Sequence, residues 1–352
     1  MLRFLAGRLR YSLLVLLGVV TLVFFLFNVL PGDPARLTMG QRSDLATLEN
    51  VRREMNLDKP LVTRYFLFLN DLSPISLYKA DSANKAKYSF VRLIPLPKDR
   101  WVVAKTPYLG RSYRTKREVA TVLSEALPGT IVLALSAMII ATILGILLGI
   151  IAALKKGTWM DTSAIAASVA GISLPSFFAG LLIAYLFGYL LHNYTGLNMT
   201  GSLWEYDAFK GRRLALQNLV LPAIALGIRP LAIITQLTRS SLLDVLSQDY
   251  IRTAYAKGLS TRKVVFRHAL PNALNPVITA IAGWLAELLA GSFFVEYIFG
   301  WKGVGKITVD ALDKFDFPIV MGSVLLTAFI FIIINLLTDM LYGWLDPRVR
   351  LQ

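Results

Sequence analysis

The run ALPGTIVLALSAMIIATILGILLGIIAAL, Ala126 to Leu154, carries no charge and is closed by Lys155-Lys156-Gly157. About 20 apolar residues in helical form cross ~30 Å of hydrocarbon, so a block of this length reads as a membrane span rather than a buried core helix. Five more blocks lie around it. Tyr11 to Leu30 runs 20 residues without charge behind Arg3, Arg8 and Arg10. Others cover about Thr162–Leu191, Leu214–Leu237, Ala273–Val295 and Phe317–Leu345. A cleaved signal peptide would have an apolar core of ~7–15 residues and a small-residue cleavage site. The first block is longer and ends in Pro31-Gly32-Asp33-Pro34, so it is expected to stay as a span.

The expected fold is therefore an all-α membrane protein of six transmembrane helices. One N-terminal helix (1–30) precedes a long extracytoplasmic loop (31–120) and a five-helix core (121–352). Of the 352 residues 55% are hydrophobic and 17% charged, with a mean hydropathy of +0.58. Soluble domains carry roughly 25% charged residues.

Orientation follows the basic residues, which favour the cytoplasmic side of short loops. Segment 239–267 holds six basic residues against Asp244 and Asp249, whereas 296–316 holds three Lys against Glu296, Asp310, Asp313 and Asp316. Both termini are then cytoplasmic, with Arg348 and Arg350 at the end of the chain. Loop 31–120, with 17 basic and nine acidic residues, is long enough to be exempt from the charge rule.

The net charge of +15 has its source in residues that border spans and meet anionic headgroups; nothing accompanies it that marks a nucleic-acid module. There is no cysteine, and His192 and His268 lie 76 positions apart. Thiolate chemistry is excluded, and no metal site is expected. Gly300-Trp-Lys-Gly-Val-Gly-Lys306 matches the start of a nucleotide-binding loop, but Ile307 stands where that loop needs Ser or Thr for magnesium. No strand leads into it, so ATP is not expected to bind this chain.

Gly145 and Gly149 have the small-xxx-small spacing that lets another helix approach closely; a chance glycine pair is the competing reading. Pro175, Pro222 and Pro230 interrupt or border spans. Arg229 and Glu287 are ionisable groups within apolar blocks, which makes them candidates for a substrate path. A structural ion pair, or an arginine reaching for an interface, would explain them as well.

The polar segment SQDYIRTAYAKGLSTRKVVFRHALPN, Ser247 to Asn272, lies between spans four and five. Two short amphipathic helices fit it, with Tyr250, Ala254 and Gly258 along one face and Val264, Val265 and His268 on another. Gly258 supplies the turn, and Ser260 or Thr261 an N-cap. A basic loop lying on headgroups is the plain alternative.

This segment resembles the cytoplasmic signature of the binding-protein-dependent ABC importer permeases, in the dipeptide, oligopeptide and nickel branch. The family pattern is Glu-Ala-Ala, three residues, Gly, nine residues, then Ile-x-Leu-Pro. Here Ala254, Gly258, Leu270 and Pro271 match. Arg252, Thr253 and His268 depart from it, and Asp249-Tyr250-x-Arg252-Thr253-Ala254 resembles the peptide branch in particular. Leu30-Pro-Gly-Asp-Pro34, Leu57-Asp-Lys-Pro60, Leu109-Gly-Arg-Ser112, Leu127-Pro-Gly-Thr130, Gly303-Val-Gly305 and Leu345-Asp-Pro-Arg348 follow in the family's order. An insertion near 73–107 departs from it.

The resemblance implies a permease subunit of an ATP-driven importer of di- or oligopeptides in the bacterial inner membrane. ATP and Mg would be held by two separate ATPase subunits, with a second homologous permease completing a heterodimer and an extracytoplasmic binding protein delivering cargo. The coupling segment 247–272 would dock on an ATPase. Alternatives are a nickel-complex importer of the same branch and an ion-gradient-driven secondary transporter; the latter would be expected to show paired broken helices or a repeat with intramembrane carboxylates.

Overall fold

The computed structural model describes residues 2–29, 49, 52, 57–79, 88, 90–97, 100–207 and 211–345. The motif at Leu30–Pro34, residues 346–348 of the last motif, and the C-terminal Arg348 and Arg350 lie outside the described residues. Apart from a single helical turn at His192–Thr195, the helices and strands in chain order are α1 (Leu2–Val29), α2 (Leu61–Leu72), β1 (Ile75–Lys79), β2 (Phe90–Leu96), β3 (Arg100–Lys105), α3 (Val119–Leu154) and α4 (Trp159–Ser173). There follow α5 (Ser176–Leu190), β4 (Trp204–Asp207), β5 (Gly211–Leu214), α6 (Gln217–Leu246), α7 (Asp249–Ala256) and α8 (Thr261–Ala273). The last are α9 (Asn275–Gly291), α10 (Phe293–Ile298), α11 (Val304–Asp313) and α12 (Phe317–Leu345).

Among the described residues four helices are long and apolar enough to cross a membrane: α1, α3, α6 and α12. The count rises to six if α4 with α5, and α8 with α9, are each one broken span. The block expected as a span over about Thr162–Leu191, with Pro175 as an expected interruption, is bent by 108° there. Leu174 is held extended at ψ 126° by Pro175, because a proline ring clashes with helical backbone at the residue before it.

The all-α expectation needs correction in two places. The insertion near 73–107 contains an antiparallel sheet in the order β1-β3-β2, and β4 pairs with β5 as a second ladder. Along Ile75-Ser-Leu-Tyr-Lys79 successive residues turn to opposite sides, as in a strand: Ile75 and Leu77 are exposed and Ser76 is buried.

The chain forms two compact units. One comprises Ala6–Glu125 and Thr308–Ala328. Its apolar centre is Val20, Val23 and Leu325, with Phe68, Leu69 and Leu72 packed against them. Lys105 is buried under the sheet. Its ammonium lies 4.4 Å from the Tyr88 ring centroid and donates to the Asn70 and Asp71 carbonyls at 2.7 and 3.0 Å, the partners a buried cation requires. In the Leu109–Ser112 motif, Gly110 has φ +86°, and the Ser112 hydroxyl and Tyr113 N–H both donate to Asp316.

The other unit comprises Met1–Leu5, Ala126–Ile307 and Phe329–Gln352, with α6 at its centre. Thirteen residues of α6 are buried. The close approach of α3 to α6 depends on absent side chains. A Cβ at Gly145 would meet Ile234 at 2.8 Å, one at Gly149 would meet Thr238 at 2.5 Å, and one at Gly227 would meet the Ala137 carbonyl at 3.0 Å. The glycine pair is a helix–helix contact inside the bundle.

Candidate functional site

Helix α7 ends in a hydrogen-bond pattern that only a left-handed residue completes. Leu259 N–H donates to Ala254 O at 3.3 Å, Gly258 N–H donates to Tyr255 O at 2.9 Å, and Gly258 has φ +77°. These are the two bonds of a Schellman motif, whose turning position favours glycine. Nothing lies within 4 Å of a Cβ built at Gly258, so the backbone demands glycine while the space beside it stays open. Ser260 takes the N-cap position of α8 but makes no side-chain cap hydrogen bond.

Helix α8 is π-wound over Val264–Ala269. Pro271 explains the widening: it has no N–H to offer and its ring crowds the carbonyl four residues back. A break at Leu274 with a 53° bend leads from α8 into α9.

The buried face of the segment is Ile251 and Ala254 on α7 with Val264, Val265, Ala269 and Ala273 on α8. They pack on Ile150 and Ala153 of α3 and Leu242 of α6. The face expected to hold Tyr250, Ala254 and Gly258 is thus divided, with Ala254 alone of the three buried. Tyr250 is exposed, and Ile251, the fully apolar neighbour, takes the inward place. Gly258 is exposed as well, and His268 is half-buried.

The outward surface carries Tyr250, Tyr255 and Phe266 among Asp249, Arg252, Thr253, Lys257, Arg262 and Lys263. The Asp249–Arg252 ion pair, 3.6 Å across, is almost wholly exposed. The Asn272 amide donates to the Tyr250 hydroxyl at 3.0 Å and ties the two helices together. Leu270 is half-buried and Pro271 exposed. All nine residues singled out in the sequence thus fall on one helix–turn–helix.

Arg229 and Glu287 lie on α6 and α9, which touch. Arg229 is half-buried and Glu287 exposed. Among the described residues they form no ion pair with each other.

Two polar sites lacked a signal of their own in the sequence. Asp161, buried at the start of α4, accepts from Arg239 Nε at 2.5 Å and Nη2 at 2.8 Å. Gly157 N–H, at φ +76°, donates to the same carboxylate at 2.9 Å.

The second is Glu296 on α10, which is fully buried. Its Oε1 accepts from Ser292 Oγ at 2.5 Å and Thr130 Oγ1 at 2.8 Å, and its Oε2 from Lys306 N–H at 3.1 Å. Gly305 N–H is a further donor. Burial pushes this carboxyl above the ordinary carboxylate value, while the four donors pull it back.

The nucleotide-loop lookalike is thereby explained. The Gly305 and Lys306 N–H groups do cradle acceptor oxygens, but these belong to the chain's own Glu296. A Cβ at Gly303 would run into Glu296, and Trp301 Nε1 donates to the Gly129 carbonyl at 2.9 Å. The motifs at 127–130 and 303–305 are therefore one structure in two pieces. A lone Glu at the end of an apolar block gives no hint of this; the paired glycines and Thr130 do.

Two family models match the chain. "Binding-protein-dependent transport system inner membrane component" covers residues 145–351, and "Binding-prot-dependent transport system membrane comp, N-term" covers residues 1–134. The chain is 36% identical to the di/tripeptide transport system permease protein DppB of Pseudomonas aeruginosa (strain UCBPP-PA14), over 100% of each protein. It is 35% identical to the probable D,D-dipeptide transport system permease protein DdpB of Escherichia coli (strain K12), over 96% of this chain and 94% of that protein. A solved inward-facing structure of the MetNI methionine ABC transporter is similar at a TM-score of 0.49 and 14% identity, covering 64% of this chain and 97% of that chain. With most of its length matched by these models, the chain belongs to the inner membrane components of binding-protein-dependent transport systems.

Proposed function

We propose that this chain is a permease subunit of an ATP-driven importer of di- or oligopeptides. It is not itself the enzyme: hydrolysis of ATP, with its Mg, belongs to two partner ATPases. Cargo arrives on an extracytoplasmic binding protein, and a second homologous permease completes the path as a heterodimer. Six crossings of the inner membrane, with both termini in the cytoplasm, complete this reading. Peptide permeases that align over the full chain support the cargo class. A nickel-complex importer and an ion-driven transporter are less favoured; the near relatives are named for peptides.

The observation that carries the mechanism is the segment at Asp249–Ala273. It presents an aromatic and charged outer face, the composition of interface hot spots, and an apolar inner face bonded by packing to α3 and α6. Motion delivered to Asp249, Tyr250, Arg252, Thr253 and Gly258 would reach the spans through Ile251, Ala254, His268, Leu270 and Pro271 as a rigid-body displacement. Arg229 and Glu287 line the substrate path in this reading.

Affinity purification of the chain from its native membrane tests the assignment. ATPase subunits and a related permease should co-purify, and the reconstituted complex should hydrolyse ATP faster with peptide-loaded binding protein. A chain that purifies alone and moves peptide on an ion gradient overturns the proposal.

A further inference from the structure

Helix α2 carries more apolar surface than it buries. The Tyr65 and Phe68 ring centroids lie 5.2 and 5.5 Å from that of Phe24 on α1, and Phe68, Leu69 and Leu72 pack against Val20, Val23 and Leu325. Val62 and Phe66, one turn apart, form an adjoining stripe that is 65% and 63% exposed. The charges of α2 are held by the chain instead. The Arg64 guanidinium donates to the Asn28 amide oxygen, and the Asp71 carboxylate accepts from the Tyr88 hydroxyl. In water a helix turns its charges out and its apolar residues in; here the charges have partners and the large apolar side chains are uncovered.

The place of α2 along α1 says what covers that stripe. The Tyr65 and Thr21 hydroxyls share a hydrogen bond at 2.7 Å. Thr21 lies eight residues before Val29, where α1 ends, and eight residues are about 12 Å of helix. Leu325, in the same apolar cluster, lies eight residues after Phe317, where α12 begins. Both helices are long and apolar enough to cross a membrane, and half of a ~30 Å hydrocarbon layer is deeper than 12 Å. Helix α2 is therefore set against the last two turns of a span, at the depth of acyl chains and headgroups. The uncovered surface also runs on from that of α1. Phe25, exposed on α1, stacks on Tyr65 at 6.1 Å, and Tyr65 meets Phe66 at 5.8 Å.

We propose that α2 is a membrane-interface helix, seated in the leaflet at the Val29 end of α1 with Val62 and Phe66 among phospholipid acyl chains. Helices of this kind lie in the plane of the interface and bury an apolar face to the depth of the headgroup boundary. Arg64, beside Asn28 in the last turn of α1, stands at the level where an arginine keeps its stem in hydrocarbon and its charge among headgroups. Strand β1 follows α2 directly, so the inserted sheet starts from the bilayer surface rather than from a free loop.

The chain has no cysteine, so a nitroxide on an introduced one reports a single site. Val62→Cys and Phe66→Cys are compared with Leu17→Cys, exposed within the span of α1, and Arg100→Cys, exposed on β3. Each full-length variant is purified with its bound subunits and placed in nanodiscs of phosphatidylcholine and phosphatidylglycerol. Power-saturation EPR then reads access to oxygen, which concentrates in hydrocarbon, and to a water-soluble nickel chelate. The oxygen-to-chelate ratio at Val62→Cys and Phe66→Cys should approach that at Leu17→Cys. It should exceed that at Arg100→Cys about tenfold, because hydrocarbon shuts out a polar chelate. A ratio as low as at Arg100→Cys puts α2 in water and overturns the proposal. Closure of both sites to both reagents means a protein cover, such as a second permease, and overturns it too. Free access of the chelate to Leu17→Cys removes α1 from the membrane, and the proposal with it. None of these readouts involves cargo or ATP, so they stand apart from the importer reading.

Discussion

Glu296 has no exposed surface and four donors aimed at it, so shape and charge can be tested apart. Gln can keep its carbonyl towards the Gly305 and Lys306 N–H groups and turn its amide to the Ser292 and Thr130 hydroxyls, which also accept. Glu296→Gln should therefore unfold within about 1 kcal/mol of wild type. Glu296→Ala should lose about 3 kcal/mol or more, since it strands several buried donors. Thermal unfolding in detergent reads both. The pH response separates them further. Burial raises the folded carboxyl above its unfolded value near ~4.3. Its contribution to stability is then full below that unfolded value and is lost as pH rises through the folded one. Wild type should lose stability across that rise while Glu296→Gln stays flat; parallel curves would mean a carboxylate ionised throughout. At Gly258 the positive φ and the empty space make different demands. Gly258→Asn tolerates the left-handed turn and should keep coupled transport. Gly258→Trp should insert normally yet lose most peptide-stimulated ATP hydrolysis, because its ring fills the space we assign to the ATPase.

Helices α3 and α6 meet where glycines remove the side chains. Gly149→Leu would drive a branched chain into Thr238 and the Thr235 carbonyl, and overpacking of this kind costs about 1–3 kcal/mol. Its melting temperature should fall, while Gly7→Leu, with nothing within 4 Å, should be neutral. Equal melting of the two would remove the contact. Elements of this kind were legible in the sequence to different depths. Spans announce themselves by length, and Pro175 marks where one bends, but the size of the bend depends on what packs around it. The strands at Ile75–Lys79 and Phe90–Leu96 were missed because their alternation is short and sits in a polar, basic loop. What holds them is Lys105 under two tyrosines, a tertiary fact. Segment 247–272 is legible as helix, turn and helix, since Gly258 is a local signal. Which face turns inward is not legible: Tyr250 and Ile251 both pair with Ala254 at helical spacing, and only packing selects the apolar one. Glu296 stayed hidden because its partners lie 166 positions back, at Thr130, and ten ahead, at Lys306.

For the whole molecule, the proposed energy transfer requires segment 247–272 to face the cytoplasm, and the expected topology puts the loop that carries the inserted sheet outside. The basic segment 239–267 and the acidic loop 296–316 argue for the former being cytoplasmic, and with an N-terminus expected on that same side, the candidate span α1 would carry the sheet's loop across. The absence of cysteine from the chain makes the arrangement directly measurable, because any introduced cysteine is the sole target. Tyr255 and Leu77 are exposed on the outer faces of α7 and β1. In spheroplasts an impermeant maleimide should label Leu77→Cys at once and Tyr255→Cys only after the membrane is opened. In inside-out vesicles the order should reverse, and ATPase subunits bound to the vesicle surface should then slow labelling at Tyr255→Cys without affecting Leu77→Cys. Labelling of Tyr255→Cys in intact spheroplasts would leave no route by which a cytoplasmic motor could reach α7, whereas labelling of Leu77→Cys only from the inside would overturn the expected crossing by α1 and leave the motor's access intact.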